Sequence, residues 1–290
     1  MTNHRMMSNV TARLLSALLY ILPHHLISRM TLRLTRVQLP WLRKLLVSAY
    51  TWKFPLKMEE ALEPSIPAYP SLNALFTRAL RPEARPIAPG RCLTSPADGK
   101  ISEFGQINHD TLLQAKGFYY DLKSLFGGYG NLALPFRNGN FATIYLSPRD
   151  YHRMHMPYTG SLTDMLYIPG RLFSVSPTTT KTTPRIFTRN ERVVCLFDTE
   201  IGRLAVVFVG AINVAAIETV WDGLITPPRA KKTVHTHYTP QVRLERGMEM
   251  GRFNMGSTVI VLTEQGCVDF KNLKQEQGIL FGQMLGDCLK

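Results

Sequence analysis

Not one Asp or Glu precedes Glu59, yet nine Lys or Arg lie between Met1 and Met58. The whole chain carries a net charge of +13, so 13 − 9 leaves only +4 for the other 232 of its 290 residues. A cationic, acid-free segment rich in Leu, Ile, Met and aromatic residues can fold in few ways. Its longest apolar run, Leu14 to Leu22, is closed by Arg13 and Pro23. No stretch reaches the ~18–20 uncharged apolar residues that a bilayer crossing requires. Proline punctuation at 23, 40 and 55 instead predicts helices over Asn9–Leu22, His24–Gln38 and Trp41–Phe54.

A secretory signal fits the short apolar run, but no small-residue cleavage site follows and basic amphipathic sequence continues. A mitochondrial transit peptide fits the composition better. A basic helical face packed on the protein's own body is the plain alternative. Nucleic acid suits the segment poorly, because its basic residues sit among Leu and Ile. The preferred reading is a docking segment, residues 1–58. Its helices lie in a membrane interface with Arg and Lys at the headgroups, each attracted by about 1 kcal/mol to anionic lipid.

Residues 59–290 have another character. Ser71 is placed to cap a short helix through Leu80. A Pro-rich connector, Arg81 to Pro89, leads into recurring apolar and β-branched runs: Phe141–Leu146, Leu162–Ile168, Val193–Phe197, Leu204–Val209, Ala211–Val220 and Thr258–Leu262. Turn residues separate them, which predicts one β-rich domain of barrel or sandwich type and an α+β chain overall. Thr178–Thr183 reads as a solvated loop. With 45% apolar residues the chain is no disordered tail. Its four cysteines are far apart and form no C-x-x-C, so free thiols and an intracellular protein are expected.

Three stretches of the body carry candidate chemistry. Ser95-Pro-Ala-Asp98-Gly99-Lys-Ile101 alone is an ordinary turn, with Asp bonding local backbone and Gly at positive φ. In Tyr145-Leu-Ser-Pro-Arg-Asp-Tyr-His152-Arg-Met-His155-Met-Pro157, two histidines three apart suit paired metal ligands, acid–base groups or structural hydrogen bonding. No further ligand at a recognisable spacing completes a metal site. Gly251-Arg-Phe-Asn-Met-Gly256-Ser257-Thr258-Val-Ile-Val-Leu262 lacks the second Gly and the helix of a nucleophile elbow. A Gly before Ser does allow a strained peptide whose carbonyl the Ser hydroxyl can attack.

Together these stretches, with Gly170-Arg-Leu-Phe-Ser-Val, Arg189-Asn-Glu-Arg-Val-Val, Val209-Gly-Ala and Ile217-Glu-Thr-Val-Trp, resemble the phosphatidylserine decarboxylases, which are self-cleaving and pyruvoyl-dependent. The resemblance covers most of the chain. The family's usual Leu-Gly-Ser-Thr stands here as Met255-Gly256-Ser257-Thr258, an exchange that keeps volume and apolarity. The resemblance implies cleavage between Gly256 and Ser257 into a β-chain, 1–256, and an α-chain, 257–290. Asp98, His155 and Ser257 would form the maturation triad: His155 takes the hydroxyl proton and Asp98 orients the imidazole. Ser257 would become a pyruvoyl group that forms a Schiff base with phosphatidylserine, with no metal and no pyridoxal phosphate. His152 or His155 would protonate the α-carbon, and phosphatidylethanolamine would leave.

The implied partners are phosphatidylserine, an anionic membrane surface and the two processed chains, with a homodimer left open and no nucleic acid. The implied location is peripheral, on the cytoplasmic face of a bacterial inner membrane in preference to a mitochondrial one. Two competing readings are a non-catalytic, membrane-docked β-barrel module and a serine hydrolase using Asp98, His155 and Ser257 without cleavage.

Overall fold

The computed structural model describes residues 23–115, 117–212, 216–226, 231–254 and 257–289. The first expected helix, Asn9–Leu22, and the residues Met255 and Gly256 lie outside them. Helix α1 spans His24–Thr35 and α2 spans Pro40–Lys53, the latter with Pro at its first position. Proline disfavours helical geometry in the residue before it, which separates the two. Ser71 caps α3, Leu72–Phe76, by accepting the Ala74 N–H at 3.1 Å. This helix stops short of the expected Leu80, because Leu80 forms an antiparallel bridge with Ala61.

The strands are β1 Cys92–Thr94, β2 Gly99–Gln106, β3 Thr111–Ala115, β4 Phe118–Asp121, β5 Asn140–Leu146, β6 Arg153–His155, β7 Gly160–Ile168, β8 Arg192–Thr199 and β9 Gly202–Val209. They continue as β10 Ala216–Thr219, β11 Gly223–Leu224, β12 Val234–Leu244, β13 Glu249–Asn254, β14 Ser257–Thr263, β15 Val268–Asp269, β16 Gly278–Ile279 and β17 Met284–Cys288. The main sheet has the order β12-β7-β8-β9-β14-β5-β2-β16, and its ladders are antiparallel. A four-stranded sheet, β11-β10-β13-β6, and a three-stranded one, β1-β17-β15, flank it.

The α+β expectation holds, but its barrel form does not. Among the described residues no ladder joins β12 to β16, and β16 is only two residues long, so the main sheet stays open. Its central strands are buried on both faces; all seven residues of β14 are inaccessible. One core unites these strands with Phe126, Phe136 and Phe187 from short helical segments and with Ile217 and Phe253 from the smaller sheet. Cover on both sides explains why the runs are continuously apolar rather than alternating.

Thr178–Thr183 is not a solvated loop. Pro177–Thr180 is a helical turn, and Thr179, Thr180 and Thr183 are buried. Buried Gln114 organises it, donating from Nε2 to the carbonyls of Thr180 and Thr183 at 2.9 and 2.8 Å. A second, smaller core joins Val47 and Tyr50 of α2 to Tyr69, Leu72, Leu75 and Phe76. The packing therefore crosses residue 58. All four cysteines are free thiols.

Candidate active site

Backbone pairing brings all three sequence stretches together: Lys100 lies opposite Tyr145, and the His155 N–H donates to the Pro96 carbonyl at 2.8 Å. In the small sheet, β6 runs antiparallel to β13, with Arg153 opposite Arg252 and His155 opposite Glu249. The Phe253 N–H donates to the His152 carbonyl at 3.0 Å. His152 thus lies toward the Ser257 end of β13, and His155 lies toward the other end. Ser257 opens β14 opposite Leu146, the last residue of β5. The loop after Leu146 leads directly to Tyr151 and His152.

The two histidines look in different directions, because side chains three apart in extended backbone fall on opposite faces. The His152 ring sits 4.0 Å from that of Phe76. Its Nδ1–H donates to the Asp150 carbonyl at 2.8 Å, leaving a buried Nε2 with no hydrogen-bond partner. His155 stacks on Phe281 at 3.6 Å. Its Nδ1–H donates to the Gly247 carbonyl at 2.8 Å, and the Tyr151 hydroxyl meets Nε2 at 3.0 Å. These contacts place the ring proton on Nδ1 and the lone pair on Nε2 in each imidazole. Among the described residues no three His, Cys, Asp or Glu side chains are arranged to hold a metal ion.

Burial pushes His152 down to about 3, opposed by the Asp150 carbonyl and reinforced by the nearby Arg78 charge. It pushes His155 down to about 4, opposed by the Gly247 carbonyl and by the fields of Glu249 and Asp98. Both rings are neutral at neutral pH, the form in which an imidazole accepts a proton.

Asp98 is buried between β1 and β2. Arg85 grips it as a fork, Nε to Oδ1 at 3.0 Å and Nη2 to Oδ2 at 2.6 Å, and also donates to Glu60 at 2.7 Å. The Phe281 N–H donates to Asp98 Oδ1 at 2.8 Å, so Asp98 bonds distant backbone rather than its own turn. The direct Asp98–His155 hydrogen bond expected of a triad is absent. The carbonyl of Gly247 orients the ring instead, and Asp98 acts on it through space, both groups meeting at Phe281. Gly99 also departs from expectation, since it is required by close approach and not by positive φ. A Cβ there would stand 2.4 Å from the Tyr145 carbonyl oxygen.

Ser257 is buried at the start of an internal strand, and its Oγ has no hydrogen-bond partner among the described residues. An orphaned buried hydroxyl costs about 1–3 kcal/mol. A prosthetic group made from residue 257 fits this position. The strand behind it is locked between β5 and β9, and the orphaned atom is the one that maturation would consume. Gly256, the other half of the expected cleavage site, lies outside the described residues.

Sequence reading missed several neighbours of the site. Arg85 was hidden in the Pro-rich connector, where Glu83 two residues away is the obvious partner and nothing local points to Asp98. Phe281, Gly247 and Phe76 carry no local signal; Tyr151 lay within the quoted motif but had no assigned role.

The family model for phosphatidylserine decarboxylase matches residues 72–287, and a second, described as PSD, matches residues 14–55. The phosphatidylserine decarboxylase proenzyme of Alkalilimnicola ehrlichii is 56% identical over 250 residues, covering 85% of this chain and 87% of the relative. That of Pseudomonas aeruginosa is 49% identical over 275 residues, covering 93% and 94%. That of Bordetella avium is 48% identical over 270 residues, covering 92% of each. Matches of this extent, reaching from the N-terminal helices to the last strand, make the chain a member of the phosphatidylserine decarboxylase family.

Proposed function

We propose that this chain cleaves itself between Gly256 and Ser257, carries the resulting pyruvoyl group on residue 257, and decarboxylates phosphatidylserine to phosphatidylethanolamine. One observation carries the reading: in a member of this family, Ser257 is a buried hydroxyl without a partner at the head of a strand held on both sides. His155 is the base of maturation. Its Nε2, which the Tyr151 hydroxyl meets, is the acceptor of the Ser257 proton, while the Gly247 carbonyl holds the ring and Asp98 stabilises the charge that develops. The alkoxide attacks the Gly256 carbonyl and the acyl group moves from N to O. β-Elimination then cuts the ester, and hydrolysis of the dehydroalanine releases ammonia.

The pyruvoyl carbonyl supplies an electron sink for the carbanion left when CO₂ departs. His152, whose buried Nε2 is open, is the group that moves a proton at the substrate α-carbon. The α-chain of residues 257–290 stays bound because β14 pairs with β5 and β9, β16 with β2, and β17 with β1.

Residues 1–58 form the docking segment, and in its described part Val47 and Tyr50 pack on the body. No described helix is long and apolar enough to cross a membrane. Yet α1 and α2 turn Leu26, Met30, Trp41, Leu45 and Trp52 to the outside. Beside the cationic residues this suits the headgroup layer of an anionic membrane. The bacterial origin of the relatives supports a bacterial membrane, and the cytoplasmic face of the inner membrane is the location proposed.

Denaturing electrophoresis with mass spectrometry tests the reading. The expected result is two chains, the smaller of 34 residues (290 − 256) with a carbonyl-bearing N-terminus. A single intact chain with hydrolase activity would establish the serine-hydrolase alternative instead.

A further inference from the structure

Among the described residues three arginines are buried, and Arg78 alone of them has neither an ion pair nor a full set of hydrogen bonds. Arg85 is matched by Asp98 and Glu60. Arg192 is saturated by carbonyls, donating to Leu125, Thr188, Asn190 and Ser124 at 2.6–2.9 Å. Arg78 is 4% exposed, and its Nε has no partner. Among the described residues its one side-chain hydrogen bond is a 3.4 Å contact from Nη2 to the Arg149 carbonyl. It forms no ion pair among the described residues: Arg85 has taken Asp98 and Glu60, and Asp150 accepts the Ser147 N–H. A buried guanidinium left this way is costly unless an anion completes it.

The surroundings indicate which anion. Arg78 lines a cleft of about 470 Å³ with Arg149, Lys57 and Tyr151; four carboxylates line it too, of which Glu60 and Asp98 are paired with Arg85 while Glu59 and Asp150 are not. That volume suits a lipid headgroup. The same cleft reaches Tyr151, the partner of His155, and the Arg78 charge is felt at His152. Phe76, two residues before Arg78, lies against the His152 ring.

We propose that Arg78, with Arg149 and Lys57 beside it, is the binding site for the phosphodiester of the substrate lipid. The proposal rests on the decarboxylase reading for the identity of that lipid. The substrate carboxylate is the poorer candidate. A cation holding it would stabilise the ground state more than a transition state from which that charge is leaving. A guanidinium, with its planar fork of donors, suits phosphate oxygens. Gripping the phosphodiester binds substrate and transition state alike, so the contact acts on KM rather than on kcat.

The test is steady-state kinetics on the processed enzyme in phosphate-free buffer, with phosphatidylserine in detergent micelles. Arg78→Gln is expected to raise KM by about 10- to 100-fold while changing kcat by less than about threefold, with Arg78→Lys between. Inorganic phosphate is expected to compete with substrate in the wild type and to lose that effect in Arg78→Gln. An unchanged KM in a processed Arg78→Gln enzyme would overturn the proposal. So would relief of phosphate inhibition without a change in KM, which would mark a site for free phosphate. If Arg78→Gln fails to mature, calorimetry on the wild type and Arg78→Lys with glycerophosphoserine against serine methyl ester reads the same contact without turnover. Wild-type enzyme that binds the two equally, or Arg78→Lys that binds glycerophosphoserine as tightly as wild type, would refute it. Phosphatidylserine left unconverted by the wild type would count against the decarboxylase reading alone.

Discussion

Along α1, His24, Ser28 and Thr35 are buried, while Leu26, Met30 and Leu34 stand 57%, 62% and 45% exposed. Along β14, every residue from Ser257 to Thr263 is buried and six of the seven are aliphatic or Thr packed in the sheet interior. The helix is turned inside out relative to the strand. In α2 the same face continues with Trp41 at 67% and Trp52 at 87%, while Val47 and Tyr50 turn inward. One chain thus contains a body designed around excluded water and a surface whose large apolar side chains remain uncovered. Patches of this kind mark an interaction site, and the adjoining Arg and Lys residues suit an anionic partner. The proposed chemistry and the proposed docking fall to different parts, yet these meet where Tyr50 contacts Phe76 and Phe76 contacts His152.

The division of labour can be broken most sharply at Ser257. Ser257→Ala is expected to leave one full-length chain and to remove decarboxylation entirely, while vesicle binding stays at the wild-type level. Two fragments on a denaturing gel would place the cleavage elsewhere.

The meeting point offers the next largest effect. Phe76→Ala is expected to cost about 3–5 kcal/mol by denaturant unfolding, because it opens a cavity beneath both Tyr50 and His152. The matched change at the surface, Trp52→Ala, is expected to stay within about 0.5 kcal/mol. Equal costs would mean that Trp52 is covered in the folded protein. The same junction sharpens the choice of truncation: removal of 1–58 would strip Tyr50 from Phe76, so deletion of 1–36 is the cleaner test of docking.

Replacing Leu26, Met30, Trp41 and Trp52 together by Ser is expected to weaken cosedimentation with anionic vesicles by about 100-fold, with self-cleavage retained. Raising salt should remove only part of wild-type binding, as the Debye length falls from about 10 Å at 0.1 M to about 3 Å at 1 M. Full release by salt alone would reduce the apolar face to a minor role.

The smallest effect concerns acid. His152 and His155 titrate at about 3 and about 4 in the fold, against 6.5 when unfolded. Below pH 6.5 the unfolded chain therefore binds more protons at these sites, and stability falls as pH drops toward 4. Each contributes about 1 kcal/mol per pH unit. Glu103 opposes one of them: burial raises it from 4.5 to about 7, so its share of stability grows as pH falls across the same range. The difference in melting temperature between Ser257→Ala and Ser257→Ala/His155→Gln, followed from pH 7 to 4, isolates the histidine. Parallel curves would show that His155 is more exposed than its stacking on Phe281 implies.

Local order was legible where a residue acts on its own neighbours. Proline at 23, 40 and 55 bounded the helices, Ser71 capped α3, and five of the six named runs became strands with ends shifted by at most two residues. The sixth, Ala211–Val220, yields only Ala216–Thr219, with 213–215 outside the described residues. Strand β12 went unannounced, since an edge strand with most of its residues exposed needs no apolar run.

Sequence by itself determined which groups are available for chemistry: a Gly-Ser peptide, two histidines after a strand, one aspartate in a turn and a cationic N-terminal fifth. Those are properties of covalent order, and the family's motifs are written in the same order. Only the tertiary structure decided how the groups are used. It turned His152, just before β6, and His155, at its end, into different surroundings, gave Asp98 to Arg85, and handed the orientation of His155 to a carbonyl 92 residues away. It also left Arg78 buried without a counter-charge. These outcomes depend on which distant backbone reaches a site first, and on the cost of burying charge there. Neither quantity belongs to a local stretch of chain.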